Sequence, residues 1–297
     1  YMEYLKQNGF HVIAIRDLTR YIDPEHPAKD AMTMVHYASQ PMDLPAEVQA
    51  TRAEPAFWLY NMMSLHHYTM DEAAGVFDFP VKTLEARMPQ YSVDKAPWPA
   101  TPKKGALTIM PYPGGRHPRI GFLDGAVQPK RGTKASVFAP WNDSSYAVVD
   151  LPEAIFSNLG LIFLAHTHVI SLWDKQHQYI DNADWQRLPN GELVNTWTLP
   201  NKVRFGARII PQKNAADMEL WLENGTDQAL TGLRTQICVM LKGMTGFADQ
   251  TNDNKRLEGG VAAANSSDGK RWVLVSFNQC GRTWGNAKCP CMHSDPV

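Results

Sequence analysis

Between residues 202 and 241 apolar and polar side chains alternate with a period of two. Val203, Phe205, Ala207 and Ile209 are interleaved with Lys202, Arg204, Gly206 and Arg208, which puts the apolar set on one face of an extended chain. Met218, Leu220 and Leu222 alternate in the same way with Glu219, Trp221 and Glu223. Asn224-Gly225 follows, two residues that tolerate positive φ, and predicts a tight turn with Leu233, Thr235, Ile237, Val239 and Leu241 as the returning strand. A sheet with one apolar face must bury it against a second layer. Further strands are predicted at 136–138, 146–150, 160–165, 168–173, 192–198, 261–263 and 271–277, with turn signals between several of them. Many short strands with almost no helix between them imply a mainly β fold. Residues 101–297 are expected to form an antiparallel β-sandwich, supersandwich-like or jelly-roll-like.

Residues 1–100 are expected to be a helical N-terminal segment with a linker. Phe57, Trp58, Met62 and Leu65 recur at near-helical spacing, and Thr69 with Glu72 fits a capping box. Adjacent helical residues point apart, so His66 and His67 are expected one in and one out. The stretch YTMDEAAGVFDFPVKTLEARM resembles a helix-turn-helix of small DNA-binding modules. Lys82 and Arg87 are the only bases on its second helix, too few for the phosphate contacts of a binder, so a helical hairpin packed on the β-domain is the preferred reading. Residues 1–23, YMEYLKQNGFHVIAIRDLTRYID, resemble the last helix, strand and helix of bacterial polysaccharide deacetylases. That resemblance implies a polysaccharide-processing context. It carries no deacetylation here, because the family's catalytic Asp pair and metal-binding His motif have no counterpart in the chain.

The hydrophobic fraction of 44% and 9 Trp suit a chain with a substantial core. A net charge of -1 leaves no basic surface for nucleic acid, and no apolar run of about 18 residues exists to span a membrane. Residue 1 is Tyr without a leader after it, so the expectation is a removed leader or an internal piece of a longer gene.

Three constellations could carry chemistry. His166 and His168, two apart beside a predicted strand, would share a face, the spacing that lets two imidazoles meet one metal. Gly160 followed by His-x-His resembles the opening of the cupin metal motif. The Glu expected next falls on Leu172 or Trp173, and no second cupin motif follows. Cys280, Cys289, Cys291 and His293 form a second group, read as a disulfide from Cys280 to Cys289 or Cys291 ahead of a zinc set, since Cys-x-x-Cys spacing is absent. Cys238, within a strand, reads as a buried thiol. The third group is acidic and aromatic: Asp124, Asp143, Asp150, Glu153, Asp174, Glu219, Glu223 and Asp253 offer carboxylates, and Trp141, Trp173, Trp221 and Trp284 offer flat faces. Sugar hydrolysis needs an acid and a partner carboxylate, and sugars stack on tryptophan. The polar run from Gln250 to Lys255 reads equally as a binding loop or an ordinary turn.

The segments MELWLENG and LTGLRTQICVM also resemble a hairpin of the galactose-mutarotase-type sugar-binding supersandwich, and residues 113–295 as a whole look like an uncharacterised bacterial module found beside carbohydrate genes. The reading is a carbohydrate-active protein, a glycoside hydrolase with Asp253 and Glu219 as its acid–base pair. His166, His168, Trp173, Asn252, Asn254, Arg234 and Trp284 are expected to bind substrate. No cofactor is required, and a divalent metal is an option. The alternatives are a non-catalytic carbohydrate-binding module and a metal-dependent, cupin-like enzyme using His166 and His168. No strand is predicted after residue 277, so an open edge there would suit a homodimer.

Overall fold

The structure, a computed structural model, describes residues 54–91, 107–116, 118, 131–142, 144–166, 169–287 and 290–296. The predicted helix-strand-helix of residues 1–23, His117, His168 and Cys289 lie outside the described residues. All described residues belong to one compact unit, Pro45–Val297.

The helical segment comprises α1 (Pro55–Leu59), a π-helical turn (Tyr60–Leu65), α2 (Met70–Phe77) and α3 (Val81–Arg87). Helices of five to eight residues fall below the roughly 12–15 that hold up alone in water. Packing holds them instead. Phe57, Leu59, Met62 and Phe77 are at most 1% exposed, and each buried side chain of this size contributes about 1.5–3 kcal/mol. The capping box at the start of α2 is present in both directions: the Glu72 amide donates to Thr69 Oγ1 and the Thr69 amide to Glu72 Oε2. His66 is buried and His67 exposed, the predicted split, but they follow the helical turn, which ends at Leu65, and His67 has a left-handed backbone with φ 51°.

Fourteen strands follow among the described residues: β1 (Thr108–Pro111), β2 (Lys134–Phe138), β3 (Tyr146–Ser157), β4 (Gly160–Leu164), β5 (Gln186–Arg187), β6 (Leu193–Thr198), β7 (Arg204–Pro211), β8 (Ala216–Glu223), β9 (Arg234–Met240), β10 (Lys255–Glu258), β11 (Val261–Asn265), β12 (Trp272–Ser276), β13 (Cys280–Asn286) and β14 (Cys291–Pro296). Every strand pairing is antiparallel. The large sheet runs β1-β2-β3-β9-β14-β13, with β4 also on β3, and two smaller sheets run β5-β6-β7-β8 and β10-β11-β12. One face of the large sheet, carrying Ala135, Val149, Ile237 and Val239, packs on Leu193, Ala207 and Ile209 of one small sheet and Ala262, Ala264 and Val275 of the other. This is the sandwich the alternation predicts. The opposite face, carrying Phe138, Val148, Cys238 and Met240, packs under the helices. Strands covered on both faces lose alternation, so ten consecutive residues of β3 are buried.

Three predicted features are corrected. The Asn224-Gly225 pair does not close a hairpin. β8 pairs with β7, whereas β9 pairs with β3 and β14 in the other layer, so the chain changes sheet between them. Asn224 Oδ1 instead accepts from the Thr226 amide, and its Nδ2 donates to the Gln228 carbonyl, folding a self-bonded loop. The strand expected at 168–173 is replaced, within its described part, by a short helix α4 (Leu172–Lys175), started by a Ser171–Asp174 capping box. Finally, the end of the sequence does form a strand: β14 lies inside the large sheet between β9 and β13. Its polar sequence hid it, because the face it presents is a polar one.

Candidate functional site

One row crosses the large sheet on its helix-side face. Lys134 of β2 stands opposite Asp150 of β3, Asp150 opposite Cys238 of β9, Cys238 opposite His293 of β14, and His293 opposite Trp284 of β13. Directly opposed residues project to the same face, so five chemically distinct side chains line up across five strands. Lys134, Asp150, Cys238 and His293 are all at 1% exposure or less.

The row is tied by polar contacts. Lys134 Nζ donates to Asp150 Oδ2 at 2.7 Å, and Thr133 Oγ1 to Asp150 Oδ1 at 2.5 Å. His166 Nε2 sits 3.1 Å from Asp150 Oδ2 and 3.6 Å from Glu153 Oε1. Burial alone would raise the Asp150 carboxyl, yet the Lys134 ammonium, with His166 beside it, holds it well below the usual carboxylate range. Glu153 is delivered by an irregularity in β3. Between Asp150 and Ala154 the register against β9 advances four residues on one strand and two on the other, which re-aims the strand. Its Oε2 accepts from Gln236 Nε2 at 2.7 Å and lies 3.5 Å from His293 Nδ1. The Trp284 ring stacks on the His293 imidazole at 3.5 Å and 4°, and Trp284 Nε1 donates to Asp295, which also accepts from Arg282.

Cys238 Sγ, Cys291 Sγ and a His293 ring nitrogen lie within 4.8 Å of one another, all three residues buried, so this trio has the donor set and compactness to hold a metal. Cys291 and His293 were legible as a pair two residues apart. Cys238 joins them only through the β9–β14 register, which no local spacing signals. Cys280 does not join. It accepts from Ser294 Oγ, a residue on the alternate side of β14, and no disulfide joins it to Cys291 as one predicted pairing had it.

A second feature lies on the other face of the large sheet. An open cleft of about 1350 Å³ runs between β8 and β12, with Val137, Val149 and Val239 among its floor residues. Both bounding strands are edges of their sheets, so their outer backbone groups face the opening. Trp141, Trp221 and Trp272, each 37–45% exposed, line it together with Glu219 and Arg234.

The predicted site residues are therefore dispersed. Glu219 lines the cleft, 3.6 Å from Arg208. Asp253 is exposed in the loop before β10 and is not among the cleft residues, so the proposed acid–base pair is not brought together there. Asn252 and Asn254 belong to that same loop. It is closed on itself by the Asp253 amide donating to Thr251 Oγ1 and Lys255 Nζ to Asn254 Oδ1, the ordinary-turn reading. Trp173 is a core residue at 4% exposure, its Nε1 donating to the Ile162 carbonyl, so it offers no face to a sugar. His166 is buried in the polar row rather than standing at a solvent-facing strand end. Of the residues that surround it, Asp150 and Glu153 belong to the acidic group picked out by residue type, whereas Lys134 carries no such signal, and no local spacing places any of them beside His166. No protein-family model, curated protein or solved structure matches the chain.

Proposed function

We propose that the protein binds carbohydrate, with an oligosaccharide lying in the cleft between β8 and β12. The carrying observation is the lining: three partly exposed tryptophans along an open groove bounded by two unpaired strand edges. Indole faces stack on the apolar faces of sugar rings, and edge amides and carbonyls offer donors and acceptors to hydroxyls. Size favours an oligomer. The groove exceeds the roughly 300–1,000 Å³ of an ordinary small-molecule site, which leaves room for several rings. The deacetylase-like residues 1–23 support the same class of ligand.

The test is a panel of neutral and anionic oligosaccharides followed by calorimetry on the full chain. Saturable binding is expected, weakened roughly tenfold by Trp272→Ala or Trp141→Ala. Binding unchanged in both variants, or no binding to any glycan, would remove the proposal.

Hydrolysis is a second reading, set on the helix-side face and not in the cleft, and favoured by one observation: Glu153 is only 2% exposed, with His166 at 3.6 Å and His293 at 3.5 Å, a buried acid–base cluster. It predicts new reducing ends that disappear in Glu153→Gln, whereas simple binding predicts none.

A further inference from the structure

We propose that Cys238, Cys291 and His293 bind one divalent zinc ion on the helix-side face of the large sheet. The inference is independent of the binding cleft, which lies on the opposite face, and shares only Glu153 and His293 with the hydrolytic reading.

Three observations converge. The donor set is two sulfurs and an imidazole within 4.8 Å, and Cys291 Sγ lies 3.5 Å from His293 Nε2. In a tetrahedral site with zinc–sulfur about 2.3 Å and zinc–nitrogen about 2.0 Å, adjacent ligand atoms stand about 3.5–3.8 Å apart. The Cys291–His293 edge already has that length, and no separation in the trio exceeds 4.8 Å, about 1 Å beyond such an edge. The second observation is the other nitrogen of the same ring. His293 Nδ1 is buried and makes no close hydrogen bond to a described residue, yet Glu153 Oε2 stands 3.5 Å away, itself held by Gln236. A carboxylate behind a ligating imidazole is the recurring outer partner of zinc-bound histidine, fixing the tautomer that leaves Nε2 free to ligate. The Trp284 ring, stacked at 3.5 Å, fixes the imidazole plane as well.

The third observation concerns charge. All three ligands are at 1% exposure or less. Two thiolates and a neutral imidazole around a dication sum to zero, whereas the same ligands around a monovalent ion would leave a net charge buried away from bulk solvent. Soft thiolates with imidazole select zinc over calcium or magnesium. Binding displaces one proton from each thiol, and the fourth position of the tetrahedron is left for one buried water, which keeps the sum at zero.

The experiment is metal analysis of the purified full chain after dialysis, with cobalt substitution as a second readout. Near one equivalent of zinc is expected, together with intense thiolate-to-cobalt absorption bands in the cobalt form. Cys238→Ser and His293→Gln should lose the metal and the bands, Cys280→Ser should keep both, and Glu153→Gln should retain the site with affinity lowered about 10–100-fold. Should Cys238→Ser fail to fold, the wild-type and Cys280→Ser cobalt spectra decide. Less than about one tenth of an equivalent with no thiolate bands, or bands lost on Cys280→Ser and kept on Cys238→Ser, would overturn the assignment.

Discussion

Lys134 donates to Asp150 at 2.7 Å with neither side chain exposed, which makes the pair a complete charge compensation inside the large sheet. Desolvating two ions costs several kcal/mol each, and their attraction offsets this only while both are present. Asp150→Asn removes the carboxylate that the ammonium faces and also weakens what Thr133 and His166 hold. A loss of roughly 3–5 kcal/mol is expected in urea unfolding. Lys134→Met combined with Asp150→Leu removes both charges and should recover at least half of that loss. A single-variant cost below about 1 kcal/mol would mean the pair is solvated.

His66 predicts an acid-side loss of stability. Its ring is buried, with Nε2 2.7 Å from Ser136 Oγ and Nδ1 2.9 Å from the Asn61 carbonyl, inside a box of Tyr68, Tyr112, Phe138 and Tyr146. Burial, ahead of the nearby Arg116 charge and against the Asn61 bond, lowers its pKa from 6.5 to about 3. Between those two values the unfolded chain takes up a proton that the folded protein refuses, so stability falls as pH falls. The slope from this residue is about 1.4 kcal/mol per pH unit, or about 2 kcal/mol between pH 6.5 and 5. Asp150 acts lower: its depressed carboxyl contributes stability that is present above 3.8 and is lost only below it. Urea titrations of wild type and His66→Gln at pH 7 and 5 check this. A variant with the wild-type slope would assign the effect to another group.

How far the fold could be read follows from which faces are apolar. Val203, Phe205 and Ile209 are all fully buried, because β7 has one packed face and its alternation survives. β14 was invisible for the opposite reason. Its Cys291, His293 and Asp295 face the polar row, so a central strand reads as a polar tail. The Asn224-Gly225 error has another cause: local turn chemistry says the chain bends, while only packing decides which sheet it re-enters. Ser171 with Asp174 was a legible capping box that outweighed the β-propensity of Val169 and Ile170. For the site, His166, Cys291, His293 and Trp284 could be picked out by residue type. Asp150 could too, as one carboxylate among several, but its alignment with Lys134 and Cys238 could not, since only strand register brings them together.

Two glycines give opposite predictions from one substitution. A Cβ on Gly132 would stand 1.7 Å from the Ala183 carbonyl oxygen and 2.9 Å from the Trp197 ring. The backbone cannot yield cheaply there. Neighbouring Asp184 pairs with Arg131, Trp185 Nε1 donates to the Lys134 carbonyl, and Asn195 Nδ2 donates to the Gly132 carbonyl. Gly132→Ala should therefore cost at least about 3 kcal/mol and disturb the Lys134 end of the polar row. Gly75 sits exposed inside α2, and a methyl added there would meet nothing within 4 Å, so Gly75→Ala should stabilise by about 0.5–1 kcal/mol through helix propensity alone. Paired urea curves with unchanged m-values test both at once. Equal effects of the two substitutions would show that the close approach at Gly132 is relieved by movement of the Ala183 strand connection.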